Sequence, residues 1–147
     1  MKFSITRDVL LKNLSHIQSV VEKRSSIAIL SNVKLDARDN RLVTTATDND
    51  IAVQGTADAF VEGDGTTTVN AHKLYEIVRK MPDGVMISAE LSENGDRLSI
   101  SGGKAKFSLL TSGKLRGKTV SVGMKVKFIK EVFYAIFISL KAEVKPQ

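Results

Sequence analysis

Apolar positions recur in the first 112 residues with two different periods, and the two alternate in a fixed order. Leu10, Leu14, Ile17 and Val21 are three or four residues apart, which predicts a helix over Arg7–Val21 with one buried face. Phe3–Ile5 before it is extended, and Thr6 has the chemistry of its N-cap. Val33 and Leu35 alternate with polar neighbours, and so do Ile51 and Val53. That period of two predicts strands over Ser31–Asp36, Arg41–Thr47 and Ile51–Thr56, with Asp39-Asn40 as a hairpin turn. A second pass follows the same order. Thr66–Val69 is extended and Asn70 is the N-cap. Ala71–Lys80 is helical, with Leu74, Ile77, Val78 and Met81 on its buried face. Pro82-Asp83-Gly84 ends it. Strands are predicted over Val85–Leu91, Arg97–Ser101 and Lys104–Leu110, with turns at Asn94-Gly95 and Gly102-Gly103.

The two helices align at an offset of 64, with Thr6 over Asn70, Leu10 over Leu74 and Leu14 over Val78. Little sequence is shared, so the repeat is one of architecture. Each strand-helix-three-strand unit leaves an apolar helix stripe and an apolar strand face. Both are buried most simply if the two helices lie on one side of antiparallel sheets, an α+β fold with one helical side and one open sheet side.

Beyond Ser112 the chain changes character. Residues 113–147 hold eight of the 22 Lys/Arg and two of the 16 Asp/Glu. Residues 1–112 therefore keep 14 of each sign, and the net charge of +6 belongs wholly to the tail. A nucleic-acid reading of the main domain must rest on where its charges sit. In the tail, Val120, Val122, Met124, Val126 and Phe128 alternate as in a strand, whereas Ile129, Val132, Phe133, Ile136, Phe137 and Leu140 fit a helical stripe. The expected organisation is a domain over 1–112 and a basic tail over 113–147, too short to be a domain of its own and open to a reading as the degenerate start of a second one.

Several classes of chemistry are disfavoured. The chain has no cysteine, hence no disulfide or thiolate metal site, which fits a reducing cytosol. The opening MKFSITRDVL is not a signal peptide, and Val132–Leu140 is too short and interrupted to span a bilayer. Asp48 and Asp50 lack a third ligand or a glycine-bearing loop and read as a turn. Glu62-Gly63-Asp64-Gly65 also reads as a turn, not a phosphate cradle. No nucleophile pattern, phosphate loop or dinucleotide fingerprint is present, so no catalytic residue, metal or cofactor is expected.

Two charged features remain. Lys12, His16 and Lys23 fall near one stripe of the first helix, away from its apolar face, with Arg24 just after it. His72 and Lys73 open the second helix, and Arg79 and Lys80 close it. If the helices share a side, that side is basic. Charge alone favours a merely solvated face, because Glu22 and Glu76 dilute it. Separately, Lys104-Ala105-Lys106-Phe107-Ser108-Leu109 alternates base and apolar group like an edge strand, and charged edges ordinarily block unwanted pairing. Core packing is the simpler account of Phe107 and Leu109.

The order of residues resembles the N-terminal domain of the bacterial sliding clamp, the beta subunit of DNA polymerase III. The resemblance is carried by MKFSITRDVLLKNL, RSSIAILSNVKL, LVTTATDNDIAV, TTTVNAHKLYEIVRKMPDG and KFSLLTSG, in one colinear run over residues 1–112. It implies the DNA-clamp fold, with the helices lining a hole that faces duplex phosphates without reading bases. It implies DNA contact by Arg24 and by His72, where the family has an arginine; Lys12 and Lys73, on the same basic side by their helical positions, are expected to join them. The histidine would make that contact weaker and pH-dependent. It further implies an assembly edge at Lys104, Lys106, Phe107 and Leu109. A non-catalytic processivity factor of the bacterial cytoplasm follows, with duplex DNA, DNA polymerase III, a clamp loader and a second subunit as partners.

The chain departs from that pattern in two ways. Family members have three such domains in each of two chains that close a ring, and here one domain is followed by the basic tail. The linker after KFSLLTSG reads KLRGKTVS, and VKFIKEVFYAIFISLKAEV is only faintly similar to the first helix of a second domain. Two other expectations therefore stand beside the clamp. One is a truncated remnant without clamp activity; the other is a protein-interaction module that uses the free sheet edge.

Overall fold

The computed structural model describes residues 1–21, 31–47 and 52–111. They form the order β1 (Lys2–Thr6), α1 (Arg7–Val20), β2 (Asn32–Arg38), β3 (Arg41–Thr47), β4 (Ala52–Asp58), β5 (Phe60–Gly63), β6 (Gly65–Asn70), α2 (Ala71–Arg79), β7 (Met86–Leu91), β8 (Arg97–Gly102) and β9 (Ala105–Leu110). The fold is α+β, with two antiparallel sheets ordered β5-β1-β7-β8-β9 and β4-β3-β2-β6, and with α1 packed against α2.

The repeat is present, but the units exchange their first strands. β1 pairs with β7 of the second unit, and β6 pairs with β2 of the first. Each helix thus carries the chain from one sheet to the other. The two halves become inseparable, because neither can complete a sheet alone. Without β5, both sheets have the same order, outermost strand to first strand, and β4 and β9 occupy equivalent outer positions.

β5 is a strand that the pattern does not announce. Its residues Phe-Val-Glu-Gly pair with β1, and the ion pair Lys2–Glu62 at 3.5 Å runs between the two strands. The expected turn at Glu62–Gly65 shrinks to Asp64, the one residue between β5 in one sheet and β6 in the other. Gly65 allows this crossing, since a Cβ there would lie 2.6 Å from the Met1 Cβ.

Local chemistry explains most boundaries. Asp39 and Asn40 both have positive φ (53° and 54°), the requirement of a two-residue type I′ hairpin, and Arg38 and Arg41 pair across it. Asn70 caps α2, its side chain accepting from the Lys73 N–H at 3.0 Å. Thr6 occupies the same place before α1 but makes no side-chain cap bond, contrary to expectation. The last hairpin turns through Gly103 (φ 57°) and Lys104, not Gly102-Gly103. Gly102 closes β8 instead, where a Cβ would meet Met81 Sδ at 2.7 Å.

The core lies between the helices and both sheets. Phe3, Ile5, Leu14, Ile17, Val33, Leu35, Leu42, Val69, Ile87, Leu98 and Ile100 are each under 2% exposed or at that limit. The helical stripe is as expected at Leu10, Leu14, Ile17 and Val21, and on α2 at Leu74, Val78 and Met81. Ile77 of that stripe is only partly buried. α1 also docks through polar groups. The Thr44 hydroxyl reaches Asn13 Oδ1 and, at 3.3 Å, the Gly55 carbonyl; a Cβ at Gly55 would lie 2.8 Å from Asn13 Nδ2.

Candidate nucleic-acid interface

The basic residues of the two helices divide into those held by the protein and those left to solvent. On α1, Lys12 and His16 are exposed one turn apart, as their spacing requires. On α2, Lys73 is exposed in the first turn and Lys80 is exposed at the C-cap. Arg79 is exposed too but pairs with Glu76 at 2.8 Å, and that hydrogen bond raises its pKa above the ordinary arginine value. Lys23 and Arg24 lie outside the described residues.

His72, at the start of α2, is tied to the other helix. Its Nε2 lies 2.9 Å from the backbone carbonyl of Val21, the C-cap residue of α1. A carbonyl oxygen can only accept, so Nε2 carries the proton and donates. The half-buried imidazole thereby satisfies a carbonyl at the end of α1 that has no partner within its helix. With Nε2 engaged, Nδ1 is the ring atom left for any further partner.

Arg7 makes the converse contact, which nothing in the hydrophobic pattern announces. From the first turn of α1, its Nε donates to the Val78 carbonyl (3.3 Å) and Nη2 to the Arg79 carbonyl (2.8 Å), at the end of α2. Nη1 reaches Asp83 Oδ1 at 2.8 Å and Asp8 Oδ1 at 3.2 Å. The guanidinium thus sits where the dipole of α2 is negative. A signal was available. A base in the first turn of a helix opposes that helix's own dipole, so Arg7 and His72 each called for a partner elsewhere.

The predicted assembly edge has a different side-chain pattern from the one expected. β9 is the outermost strand of its sheet, bonded to β8 on one side. Lys104 lies in the turn before it, Lys106 is exposed, and Phe107 is 36% exposed. Leu109 is 8% exposed and belongs to the core, while Leu110 is 67% exposed. His72, Lys73, Glu76, Ile77 and Leu109 line a shallow groove between α2 and β9, so parts of both predicted sites meet there. Among the described residues no group of three His, Cys, Asp or Glu could hold a metal, and Asp48 and Asp50 lie outside them.

Comparison with known proteins gives this geometry its family. Residues 1–113 match the family described as DNA polymerase III beta subunit, N-terminal domain. The chain belongs to the DNA polymerase III beta subunit family. It is 47% identical over 109 residues to the beta sliding clamp of Caulobacter vibrioides, covering 74% of this chain and 29% of that protein. To the Escherichia coli beta sliding clamp it is 35% identical over 113 residues, covering 76% and 30%. The solved sliding clamp of Caulobacter crescentus superposes with a TM-score of 0.73 at 46% identity, covering 76% of this chain and 30% of that one. The chain thus spans about three tenths of the length of these clamps.

Proposed function

We propose that this chain is the DNA-facing N-terminal domain of a sliding clamp. In that reading α1 and α2 present Lys12, His16, His72 through its Nδ1 edge, Lys73 and, after α1, Arg24 to the phosphates of duplex DNA. The carrying observation is that the two helices pack against one another and leave Lys12, His16 and Lys73 exposed, in a chain of the clamp family. Contacts between such cations and phosphates are independent of sequence, so the protein can slide instead of locking on one site. No residue need be catalytic, and no cofactor enters. The role is that of a processivity factor in the bacterial cytoplasm, tethering DNA polymerase III after placement by a clamp loader.

Domain limits of 1–112 for the clamp domain and 113–147 for a basic tail belong to the same proposal. The ring needs further clamp domains, and β9 with Lys104, Lys106 and Phe107 is the edge at which a neighbouring domain would add. A second reading, an interaction module or remnant without clamp activity, is favoured by that same exposed edge. The two are separated by loading the chain, alone and with the remaining clamp domains supplied, onto nicked circular DNA and then linearising it. A clamp is retained on the circle and lost on linearisation. Equal retention on both, with a monomeric chain, supports the second reading.

A further inference from the structure

The five-stranded sheet buries one face and leaves the other open. Phe3, Ile5, Ile87, Leu98 and Leu109 are buried on the core side, so the residues alternating with them point away from it. Among the described residues five large apolar side chains are exposed, and three of them stand on the open face: Phe60 (65%) across from Ser4, Met86 (55%) across from Thr6, and Leu110 (67%) across from Arg97. Between them the face is floored by short groups, with Ser88 beside both Ser4 and Ser101, and Ser99 beside Ser108. Exposed apolar groups gathered on one face mark a contact surface, where single scattered ones do not.

The β5 margin of that face is acidic. Phe60 is flanked along the chain by Asp58, Glu62 and Asp64, all exposed. Three bases stand near: Lys2 pairs with Glu62 at 3.5 Å, Arg38 is engaged by Asp36 at 2.7 Å, and Arg41 lies across from Asp58 in the ladder. With Asp36 and Asp39 counted, five acids meet these three bases. Residues 113–147 have the opposite sign, eight Lys/Arg against two Asp/Glu. They also hold Ile129, Val132, Phe133, Ile136, Phe137 and Leu140, at the spacing of one helix face.

We infer that the open face of this sheet is the docking surface for the chain's own residues 113–147. The apolar positions from Ile129 to Leu140 lie on Phe60, Met86 and Leu110, and the lysines beside them turn to the acids of the β5 margin. The dimensions fit. The described residues end at Thr111, next to Leu110, so the tail starts beside the first of the three apolar groups. From β9 to β5 is four strand spacings, about 19 Å. Residues 113–128 reach about 50 Å when extended. A helix over Ile129–Leu140 is about 18 Å long, close to the width of the sheet. The groove between α2 and β9 is nearer, but Arg79 already engages its Glu76, and Lys73 with the adjoining Lys104 and Lys106 repels a basic segment. The inference goes beyond the proposed function: it directs the tail's charge to its own domain, and it does not depend on the DNA contacts.

Hydrogen exchange of the 147-residue chain, read by mass spectrometry, tests it. Amides from 129 to 140 should exchange at least about tenfold slower than in an unstructured chain, and equally so at low and high protein concentration. In the double variant Phe60→Ser/Met86→Ser that protection should fall to within about twofold of unstructured rates. The amides of α1 should keep theirs, because both replaced side chains are exposed and the core is untouched. Val9→Ser/Phe107→Ser, which removes two exposed apolar groups away from this face, should leave the tail as protected as in the parent. The inference would be overturned by a parent tail that exchanges at unstructured rates, by protection that survives the first double variant or is lost equally in the second, or by protection that grows with concentration, as docking of a second copy's tail requires.

Discussion

The His72 imidazole and the Val21 carbonyl, 51 residues apart, are joined by a 2.9 Å hydrogen bond that ties the start of α2 to the end of α1. Arg7 ties the start of α1 to the end of α2. The helix pair is therefore cross-linked at both ends by bases that each satisfy the other helix's terminal carbonyls. Replacing His72 by Ala should cost about 1 kcal/mol in urea unfolding, the worth of one such bond. Arg7→Met should cost more, about 2 kcal/mol, because two carbonyls lose a charged donor in a group only 12% exposed. A cost for Arg7→Met no larger than for Asp83→Ala, whose carboxylate is 90% exposed, would mean that the helix end is satisfied by water.

Asp36 is 3% exposed in the middle of β2, and Arg38 Nε donates to its Oδ1 at 2.7 Å. Hydrogen bonding to Asp36 raises the Arg38 pKa above the ordinary arginine value. A raised pKa on a base gives stability that is present below the unfolded value and lost only as pH climbs through the folded one. For arginine both lie far above neutrality. Arg38→Ala should thus cost about 1 kcal/mol, reduced by the exposure of the guanidinium, and by the same amount at mildly acid and mildly basic pH. Urea midpoints at two such pH values measure it. A cost that disappears at the higher pH would contradict the assignment.

The Thr67 hydroxyl, on a residue 1% exposed, finds no partner among the described residues. An unsatisfied buried hydroxyl is a standing penalty. Thr67→Val removes it at nearly constant shape and should raise stability by up to about 1 kcal/mol. A fall in the unfolding midpoint would show that the hydroxyl has a partner after all.

The periodic parts of the fold were legible. Leu10, Leu14 and Ile17 at helical spacing, and Val33 and Leu35 in alternation, are buried as their spacing demands. The chain turns at Asp39-Asn40 and Asn94-Gly95, where their side chains favour it. β5 was not legible, because four residues with a charge and a glycine carry too little pattern; it exists through pairing with β1, more than fifty residues away in sequence. The strand exchange between the halves was hidden for the same reason, since a strand's pattern does not name its partner. For the candidate site, exposure of Lys12 and Lys73 followed from the helical period. The bonds of His72 and Arg7 did not, being set by how the helices meet. Phe107 and Leu109 are two residues apart on one strand and share an expectation, yet Phe107 stays partly exposed while Leu109 is buried in the core.

The central claim is that the helical side meets duplex phosphates, and the salt dependence of binding tests it most directly. The chain lacking residues 113–147 removes the tail's charge from the comparison, and the triple variant Lys12→Ala/Arg24→Ala/Lys73→Ala removes the proposed contacts. Fluorescence anisotropy with a short duplex, titrated with salt, should show weaker binding by the variant on every sequence. The slope of log affinity against log salt should fall by about three, one for each phosphate that is no longer neutralised. Equal affinity and equal slope in parent and variant would contradict the assignment of this face to DNA.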